Sequence, residues 1–451
     1  MLPAQLEQWL DRAVAQLRCR AAVQPVKAEL KAHLEDQYEA FLAEEDSPEQ
    51  AARKTVESMG DAVLVGGRLD EVHRPRSAWG PFLWVAMLFV LGTALRVFGE
   101  LRLGPDGSGE VVSLLVRGCV PVAVLAVVYF GTDLVARMRH TWLIYGGALA
   151  LVLGTALCTP TINGARIYAR PLCGFLVLGY AAVLYRQRGK RLAGLLLSGM
   201  AIVPLLLAAL YLPALSQAIC ILLTGLGLCL YCGWRDWFGW GRGRSMGLTA
   251  AVAVGLPAIG CLSNPHLVER MLERSNPFSD PAGGGWLDLL RLTIWQGKSP
   301  LQPLTSEWAD RVPENLFQGL TEESLFRLLG SDDPLTWSAH ALGRPAALVL
   351  LGALIVCLVL LWRSVLRVRS AAGRMLALAA VAFLTAQLLL EPLNLSVPFL
   401  SGGVWSGSVQ AVLAGVILSA FRLDPAKGGQ EPAAARGWLH RDGKGWQIRL
   451  S

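Results

Sequence analysis

Residues 192–231 read LAGLLLSGMAIVPLLLAALYLPALSQAICILLTGLGLCLY. These forty residues contain no charged side chain, and an α-helix needs only about 20 apolar residues to cross the hydrocarbon core of a membrane. Pro213 stands near the middle of the stretch, and proline interrupts helices because it lacks a backbone N–H. The stretch therefore predicts two consecutive membrane-spanning helices.

Eight further apolar segments flank this stretch, and the composition agrees with them. The chain is 53% hydrophobic and 17% charged, whereas soluble domains average about a quarter charged. The ten segments are Phe82–Phe98, Val111–Phe130, Trp142–Cys158, Leu172–Leu184, Leu192–Leu210, Leu215–Tyr231, Gly247–Leu262, Ala346–Leu361, Met375–Leu390 and Val404–Phe421. They predict an all-α fold, a polytopic membrane protein of about ten transmembrane helices, whose shorter segments extend into their flanks.

The charges predict the orientation of these spans. Residues 1–78 carry 10 Lys and Arg against 14 Asp and Glu, so the remainder carries a net charge of +11. If residues 1–78 are cytoplasmic, the short loops on that side hold 13 basic residues and those on the other side hold three. This asymmetry favours an even number of spans with both termini in the cytoplasm. The acidic N-terminal part argues against a nucleic-acid partner.

The apolar segments and the charge distribution divide the chain into three parts. Residues 1–78 form a small cytoplasmic helical domain, residues 79–425 the membrane domain, and residues 426–451 a polar cytoplasmic tail. In the first part, one helix is expected to start just after Pro25, and another at Ser47 with a capping box completed by Gln50 and an end at Gly60. Most of the nine cysteines lie in apolar runs and are expected to pack as small hydrophobic residues. No metal site is predicted.

A long polar loop, residues 263–334, lies on the outer side in this topology. Arg270 and Arg274 stand four residues apart, on one helical face. Their guanidinium groups suit phosphate or pyrophosphate, which accept paired donors. Salt bridges with Glu269 and Glu273 are the equally open alternative.

The loop closes with Ser331-Asp332-Asp333-Pro334. These residues could cap the helix that follows. A carboxylate at a lipid–water boundary could instead act as a general base toward a sugar hydroxyl, and a neighbouring carboxylate raises the pKa of one of the pair. Both interpretations remain open from the residues alone.

Other polar residues stand at or inside the apolar segments. Arg117 lies within the second segment, and Gln387, Glu391 and Asn394 stand near the end of the ninth. Ionisable groups in a membrane are candidates for function. A proline and paired glycines open the last span in the run Val397-Pro398-Phe399-Leu400-Ser401-Gly402-Gly403, which predicts a broken helix there.

These stretches, in this order, resemble the FtsW/RodA/SpoVE (SEDS) family over about residues 80–425. Asn163-Gly164-Ala165-Arg166 is similar to the family's NGA-R/W turn, Arg270 to Pro281 to its R…R…NP..DP stretch, and Val397 to Gly403 to its LPF.S.GG run. Asp332 precedes Gly343 by eleven residues, as the essential aspartate of the family precedes a glycine. The family's QPDLG and FQPSE runs are replaced here, which marks a divergent member.

The resemblance implies peptidoglycan glycosyltransfer with inversion, in cell division, elongation (cell shape) or sporulation. Asp332, with Asp333 as the alternative, would be the catalytic base that acts on lipid II, the lipid-linked disaccharide-peptide. Substrate contacts would come from Arg270, Arg274, Arg166, Ser401, Gly402 and Gly403. A divalent cation, Mg²⁺ or Mn²⁺, is an optional cofactor, and a transpeptidase (a class B penicillin-binding protein) is the expected partner. The location implied is the bacterial cytoplasmic membrane.

Residues 1–78 resemble the permease-prefix, or HAAS-type, helical module, through Glu29-Leu30, His33-Leu34-Glu35-Asp36 and Met59-Gly60-Asp61. That module precedes several kinds of membrane protein and specifies no activity. Two alternatives to an active enzyme therefore remain. One is a catalytically inactive scaffold or regulator of the wall machinery, and the other is a permease for lipids or small molecules.

Overall fold

The computed structural model is mainly helical and divides into two units. One unit is Met1–Ser77 with Arg422–Ser451, and the other is Ala78–Phe421. The structure describes residues 3–18, 20–44, 47–73, 78–103, 108–131, 141–161, 166, 168–212, 214–263, 266, 269, 272, 335, 338, 342, 344–390, 397–400, 404–423, 439–442 and 445–448.

Four helices make up the N-terminal part of the first unit: α1 Ala4–Val14, α2 Arg20–Glu44, α3 Pro48–Met59 and α4 Ala62–His73. Each helix alone is too short or too polar to be stable in water, so burial of one apolar face must hold it. Leu6, Leu10 and Leu34 form that shared core. The Trp9 indole N–H donates to the Gly60 carbonyl oxygen at 2.8 Å, which ties α1 to the end of α3.

Two local predictions in this unit are wrong. The second helix begins at Arg20, so Pro25 lies within it rather than before it. The contact of α2 with α1 and α3 outweighs the local signal of the proline. Ser47 is the N-cap of α3, but its side chain makes no capping hydrogen bond. The expected capping box is therefore absent at Ser47, and α3 begins at Pro48, whose φ is already suited to a helix. Gly60 ends that helix with φ 76°, as expected.

The second unit contains a helix at every one of the ten apolar segments. They are α5 Trp79–Leu103, α6 Ser108–Gly131, α7 Thr141–Cys158, α8 Gly174–Arg186, α9 Arg191–Tyr211, α10 Leu215–Trp234, α11 Arg242–Ser263, α12 Arg344–Leu366, α13 Ala371–Leu389 and α14 Val404–Leu423. Within the described residues, eight are long and apolar enough to cross a membrane, and Pro171–Arg186 is a shorter apolar helix. The protein is a multi-pass membrane protein, and the predicted fold class is confirmed.

Helix α8 lies at the centre of the bundle. It contacts α7, α9, α10 and α13, and its residues from Gly174 to Leu184 are buried apart from Phe175. Lipid tails are as apolar as leucine, so helices in a membrane associate through close packing at small residues. Gly179 shows this: a Cβ there would lie 3.0 Å from the Cα of Tyr145 on α7.

The contacts define two ends of the bundle. At the end that we call the mouth, α5, α7, α9 and α13 finish and α8, α10 and α14 begin. A Cβ on Gly174, at the start of α8, would lie 2.8 Å from Val409 on α14, and one on Gly92 of α5 would lie 2.9 Å from the Leu400 carbonyl oxygen. The opposite end carries the connections from α8 to α9 and from α10 to α11.

The tail adds an antiparallel hairpin that its polar sequence was not expected to form. Strand β1 is Leu439–Asp442 and β2 is Gly445–Ile448, paired with Asp442 opposite Gly445. The signal for it is Gly443-Lys444, the two residues between the strands, since glycine at the first of two loop residues favours a tight hairpin turn.

Candidate functional site

Arg166 is the predicted site residue that falls within the described part of the chain. Asp332, Asp333, Arg270, Arg274, Ser401, Gly402 and Gly403 lie outside the described residues. The roles expected of those seven residues therefore stay predictions. The described residues around Arg166 and around the start of α14 show what surrounds the mouth.

Arg166 joins the ends of two helices at the mouth. Its guanidinium donates to the Ala156 carbonyl oxygen of α7 and, at 3.1 Å, to the Tyr211 hydroxyl at the end of α9. The same guanidinium lies over the Tyr211 ring, 4.8 Å from its centroid, a cation–π contact. The backbone is turned here, because the Arg166 carbonyl accepts the N–H groups of Ala169 and Arg170. These contacts hold the side chain of Arg166, half-buried, in one position.

The charge of Arg166 is not neutralised by these partners. A carbonyl, a hydroxyl and an aromatic ring are all uncharged, and no ion pair with Arg166 occurs among the described residues. A guanidinium has five N–H donors in a planar fork. The unused donors suit an anionic group that approaches from the mouth.

A second arginine lies close by in the sequence and contacts the next helix. Arg170 donates to the Ser216 hydroxyl, at 3.2 Å, in the first turn of α10. The adjacent Gln217 is 4% exposed, and its Oε1 has no hydrogen-bond partner among the described residues. Buried amides without partners are uncommon because burial costs them their hydration. Gln217 was not among the predicted site residues, although a glutamine in the first turn of an apolar helix is a signal for such a role.

The turn before α14 is held by a buried glutamine. The Phe399 backbone N–H donates to Gln410 Oε1 at 2.8 Å, and Gln410 is 1% exposed. Phe399 has φ 64°, a left-handed conformation that non-glycine residues rarely adopt. Gly92 of α5 presses on the same turn, so a Cβ there would collide with the backbone of Leu400. The chain is therefore not helical just before α14, as predicted. The role of Gln410 in holding this turn was not predicted.

This turn forms one wall of a narrow groove whose free volume is about 20 Å³, enough for about one water molecule. The residues that line the groove are Phe89, Gly92, Thr93, Arg96, Leu114, Arg117, Gly118, Pro121, Phe399 and Leu400. Arg117 lies within the span of α6, is exposed and lines this groove, so the charge in the second apolar segment stays a candidate for function. The predicted substrate contacts Ser401, Gly402 and Gly403 follow this turn directly in the sequence, but they lie outside the described part of the chain.

The mouth therefore combines fixed cations with buried amides. Arg166 and Arg170 hold the ends of α7, α9 and α10, and Gln387 of α13 is 4% exposed with no partner for its Oε1 among the described residues. Such a set can bind an anionic, hydroxyl-rich group at the membrane boundary. None of these described groups is a carboxylate, so a general base would have to come from elsewhere in the chain.

The comparisons with known proteins confirm the fold. One chain of a structure described as "Structural coordination of polymerization and crosslinking by a peptidoglycan synthase complex" matches with a TM-score of 0.52 and 18% identity, over 76% of this chain and 97% of that chain. The crystal structure of Thermus thermophilus rod shape determining protein RodA matches with a TM-score of 0.47 and 19% identity, over 78% and 98%. No family model and no curated protein matches the chain. The likeness to the SEDS family is thus one of fold.

Proposed function

We propose that this protein is a membrane peptidoglycan glycosyltransferase of the SEDS type. The observation that carries the proposal is the match of its bundle to 97% of a chain from a peptidoglycan synthase complex. The order of the motif-like stretches along the chain supports the same function. An anionic substrate is also supported by Arg166, which is fixed at the mouth and has no ion pair among the described residues.

The proposed reaction joins two lipid-linked disaccharide-peptides at the outer leaflet. Asp332 takes the proton from the acceptor sugar hydroxyl, and that oxygen forms a bond to the anomeric carbon of the donor sugar. The bond from that carbon to the undecaprenyl pyrophosphate breaks, with inversion, and the pyrophosphate leaves with the electron pair. Arg166, Arg270 and Arg274 stabilise its developing negative charge.

A divalent cation and a protein partner complete the proposal. Mg²⁺ or Mn²⁺ would neutralise the leaving pyrophosphate. Among the described residues no group of three or more His, Cys, Asp or Glu side chains could hold such an ion, so no residue is assigned to it. The partner is a transpeptidase, since the matched fold comes from a complex of polymerization and crosslinking. Both termini and residues 1–78 are proposed to lie in the cytoplasm.

The experiment compares Asp332→Ala and Asp333→Ala with the unaltered protein, purified and given lipid-linked disaccharide-peptide. We expect the unaltered protein to make polymer, and Asp332→Ala to lose about 10²- to 10⁴-fold in rate, the usual contribution of a general base. Asp333→Ala, which removes the same charge one residue away, should keep most of the activity.

Two outcomes contradict this assignment. If the folded unaltered protein makes no polymer, with and without a transpeptidase partner and with Mg²⁺ or Mn²⁺, the protein is a catalytically inactive scaffold and not an enzyme. If Asp333→Ala is inactive while Asp332→Ala is not, the base is Asp333.

A further inference from the structure

The bundle end opposite the mouth carries an ordered, positively charged surface that the proposed function does not use. Two short connections meet there: α8 to α9, and α10 to α11. The surface, which we call the basic collar, consists of six exposed cations: Arg188, Lys190, Arg191, Arg235, Arg242 and Arg244.

Backbone hydrogen bonds lock the two connections together. The Gly189 N–H donates to the Trp237 carbonyl at 3.0 Å, and the Arg191 N–H donates to the Phe238 carbonyl at 2.7 Å. The Phe238 ring is fully buried, and the Trp237 indole N–H donates to the Leu184 carbonyl at 3.2 Å. The loop from α10 to α11 is therefore fastened to the end of α8 by main-chain, indole and apolar contacts.

The locked arrangement includes unfavourable backbone conformations. Arg191 (φ 51°) and Asp236 (φ 47°) adopt the left-handed region, as do Gly189, Gly239 and Gly241. Non-glycine residues persist in this region only where the surrounding structure imposes it, and such residues cluster at functional sites. An excess of cations that served only to orient the protein in the membrane would need charge and no defined loop structure. The collar thus has more structure than its charge alone requires.

Four cations of the collar make no ion pair with a described carboxylate. Among the residues that the structure describes, no ion pair includes Arg191, Arg235, Arg242 or Arg244. The one acidic side chain of the two connections, Asp236, accepts the Gly241 N–H at 2.9 Å. Arg188 lies over the Trp237 ring, 5.0 Å from its centroid. The positive charge therefore faces outward with little internal compensation.

The position of the collar indicates what it binds. Arg235 follows the last residue of α10, and Arg191 and Arg242 begin α9 and α11, so these cations stand at the boundary between hydrocarbon and water. Trp234, the last residue of α10, is 55% exposed, and tryptophan favours the level of lipid headgroups. Basic groups at this level attract anionic lipids.

We propose that the basic collar is a binding site for anionic phospholipid headgroups in the leaflet at this end of the bundle. The locked connections hold several cations at one level, so that phosphates of neighbouring headgroups are bound together. This proposal is independent of the glycosyltransferase assignment.

The test measures lipid selectivity of the purified protein. Full-length protein is equilibrated in micelles with equal amounts of phosphatidylglycerol and phosphatidylcholine, and retained lipids are counted by native mass spectrometry. Each Lys or Arg near a surface contributes about fivefold to anionic lipid binding. We therefore expect the triple variant Arg235→Gln, Arg242→Gln, Arg244→Gln to lose at least tenfold in selectivity for phosphatidylglycerol.

A matched control removes the same charge at the same end of the bundle. Arg363 lies in the last turn of α12, Arg367 and Arg369 lie on the connection from α12 to α13, and all three are also exposed. Their triple change to glutamine should lower selectivity at least threefold less than the collar variant does, because general attraction to anionic lipid is common to both surfaces and only the collar has the locked connections. Equal losses in both triple variants, or no loss in either, would overturn the proposal. Displacement of phosphatidylglycerol by inorganic phosphate, but not by sodium chloride of the same ionic strength, would also overturn it, because the site would then bind a free anion rather than a lipid.

A second pair of variants tests the locked geometry while keeping every cation. Gly239 has φ 68°, which asparagine tolerates and valine does not. We expect Gly239→Asn to keep the selectivity and Gly239→Val to lower it at least threefold, with both variants monodisperse. Unchanged selectivity in a folded Gly239→Val protein would show that charge alone is sufficient, against the proposed built site.

Discussion

The cations of the collar and the polar side chains of the mouth, at opposite ends of the membrane bundle, differ in exposure. At the collar, cations are exposed, and the backbones of two connections hold them in place. At the mouth, Arg166 is half-buried against a tyrosine ring, and Gln217, Gln387 and Gln410 are almost fully buried. Charge at a lipid–water boundary is inexpensive, whereas a buried amide without a partner is costly. Gln217 and Gln387 have no partner for their Oε1 among the described residues, so these buried amides at the mouth cost stability, which is a common mark of a functional site.

The largest effect expected from this comparison is at Arg166. In the polymerisation assay, Arg166→Ala should lower the rate about 10- to 100-fold, because one charge-assisted contact to the leaving pyrophosphate is worth roughly 1.5–3 kcal/mol. Tyr211→Phe removes the hydroxyl that holds Arg166 at 3.1 Å but keeps the ring, and should cost only about threefold.

Stability provides the second readout for the same residue. Arg166 also fastens α7 to α9, so Arg166→Ala should lower the melting temperature slightly, whereas Arg166→Lys should retain charge but lose the planar fork. Arg166→Ala with activity within twofold of the unaltered protein would contradict a substrate contact. It would leave Arg166 as a helix fastener.

Gln410 tests whether the buried amides at the mouth are structural. Gln410→Leu leaves the buried Phe399 N–H without its acceptor at 2.8 Å, and we expect a loss of about 2 kcal/mol in the free energy of unfolding. Gln410→Glu keeps an acceptor oxygen, but it adds a buried charge and should be worse. Urea unfolding in mild detergent measures both variants. If Gln410→Leu is as stable as the unaltered protein, the left-handed turn at Phe399 is held by other contacts.

The sequence predicts the helices of the bundle well because the signal is local. A run of apolar residues such as Leu192–Leu210 can be recognised without its neighbours, and α9 covers all of it. Recognising such a run needs no information about contacts between helices. The predicted start of α2 was wrong for the opposite reason. Pro25 is a strong local signal for a helix start, but packing against α1 and α3 lets the helix begin at Arg20.

The site and the collar were only partly predictable because their contacts join residues far apart in the chain. Arg166 was selected through its Asn163-Gly164-Ala165 context, but nothing in the sequence links it to Tyr211. Phe399 lies in the Val397–Gly403 run, but nothing in the sequence links its N–H to Gln410. The collar carries a partial signal in Gly189, Gly239 and Gly241, since clustered glycines indicate left-handed turns. Only the structure shows that the two connections bind each other.

The smallest effect expected is on stability at the collar, and it separates charge from structure most sharply. Arg191 has φ 51°, and asparagine tolerates this conformation better than arginine does. Arg191→Asn keeps the N–H that donates to Phe238. Its exposed side chain makes no ion pair among the described residues. The free energy of unfolding should therefore change by less than about 0.5 kcal/mol, or rise slightly.

If Arg191 is present for its charge, the same variant should bind less phosphatidylglycerol, by about fivefold. Arg191→Lys, which keeps the charge but has the same backbone strain, should retain the lipid. A clear loss of stability in Arg191→Asn with unchanged lipid binding would contradict both expectations for this residue. The collar would then depend on its cations for folding, as the mouth depends on Gln410, and an arginine in a left-handed conformation would need a structural explanation.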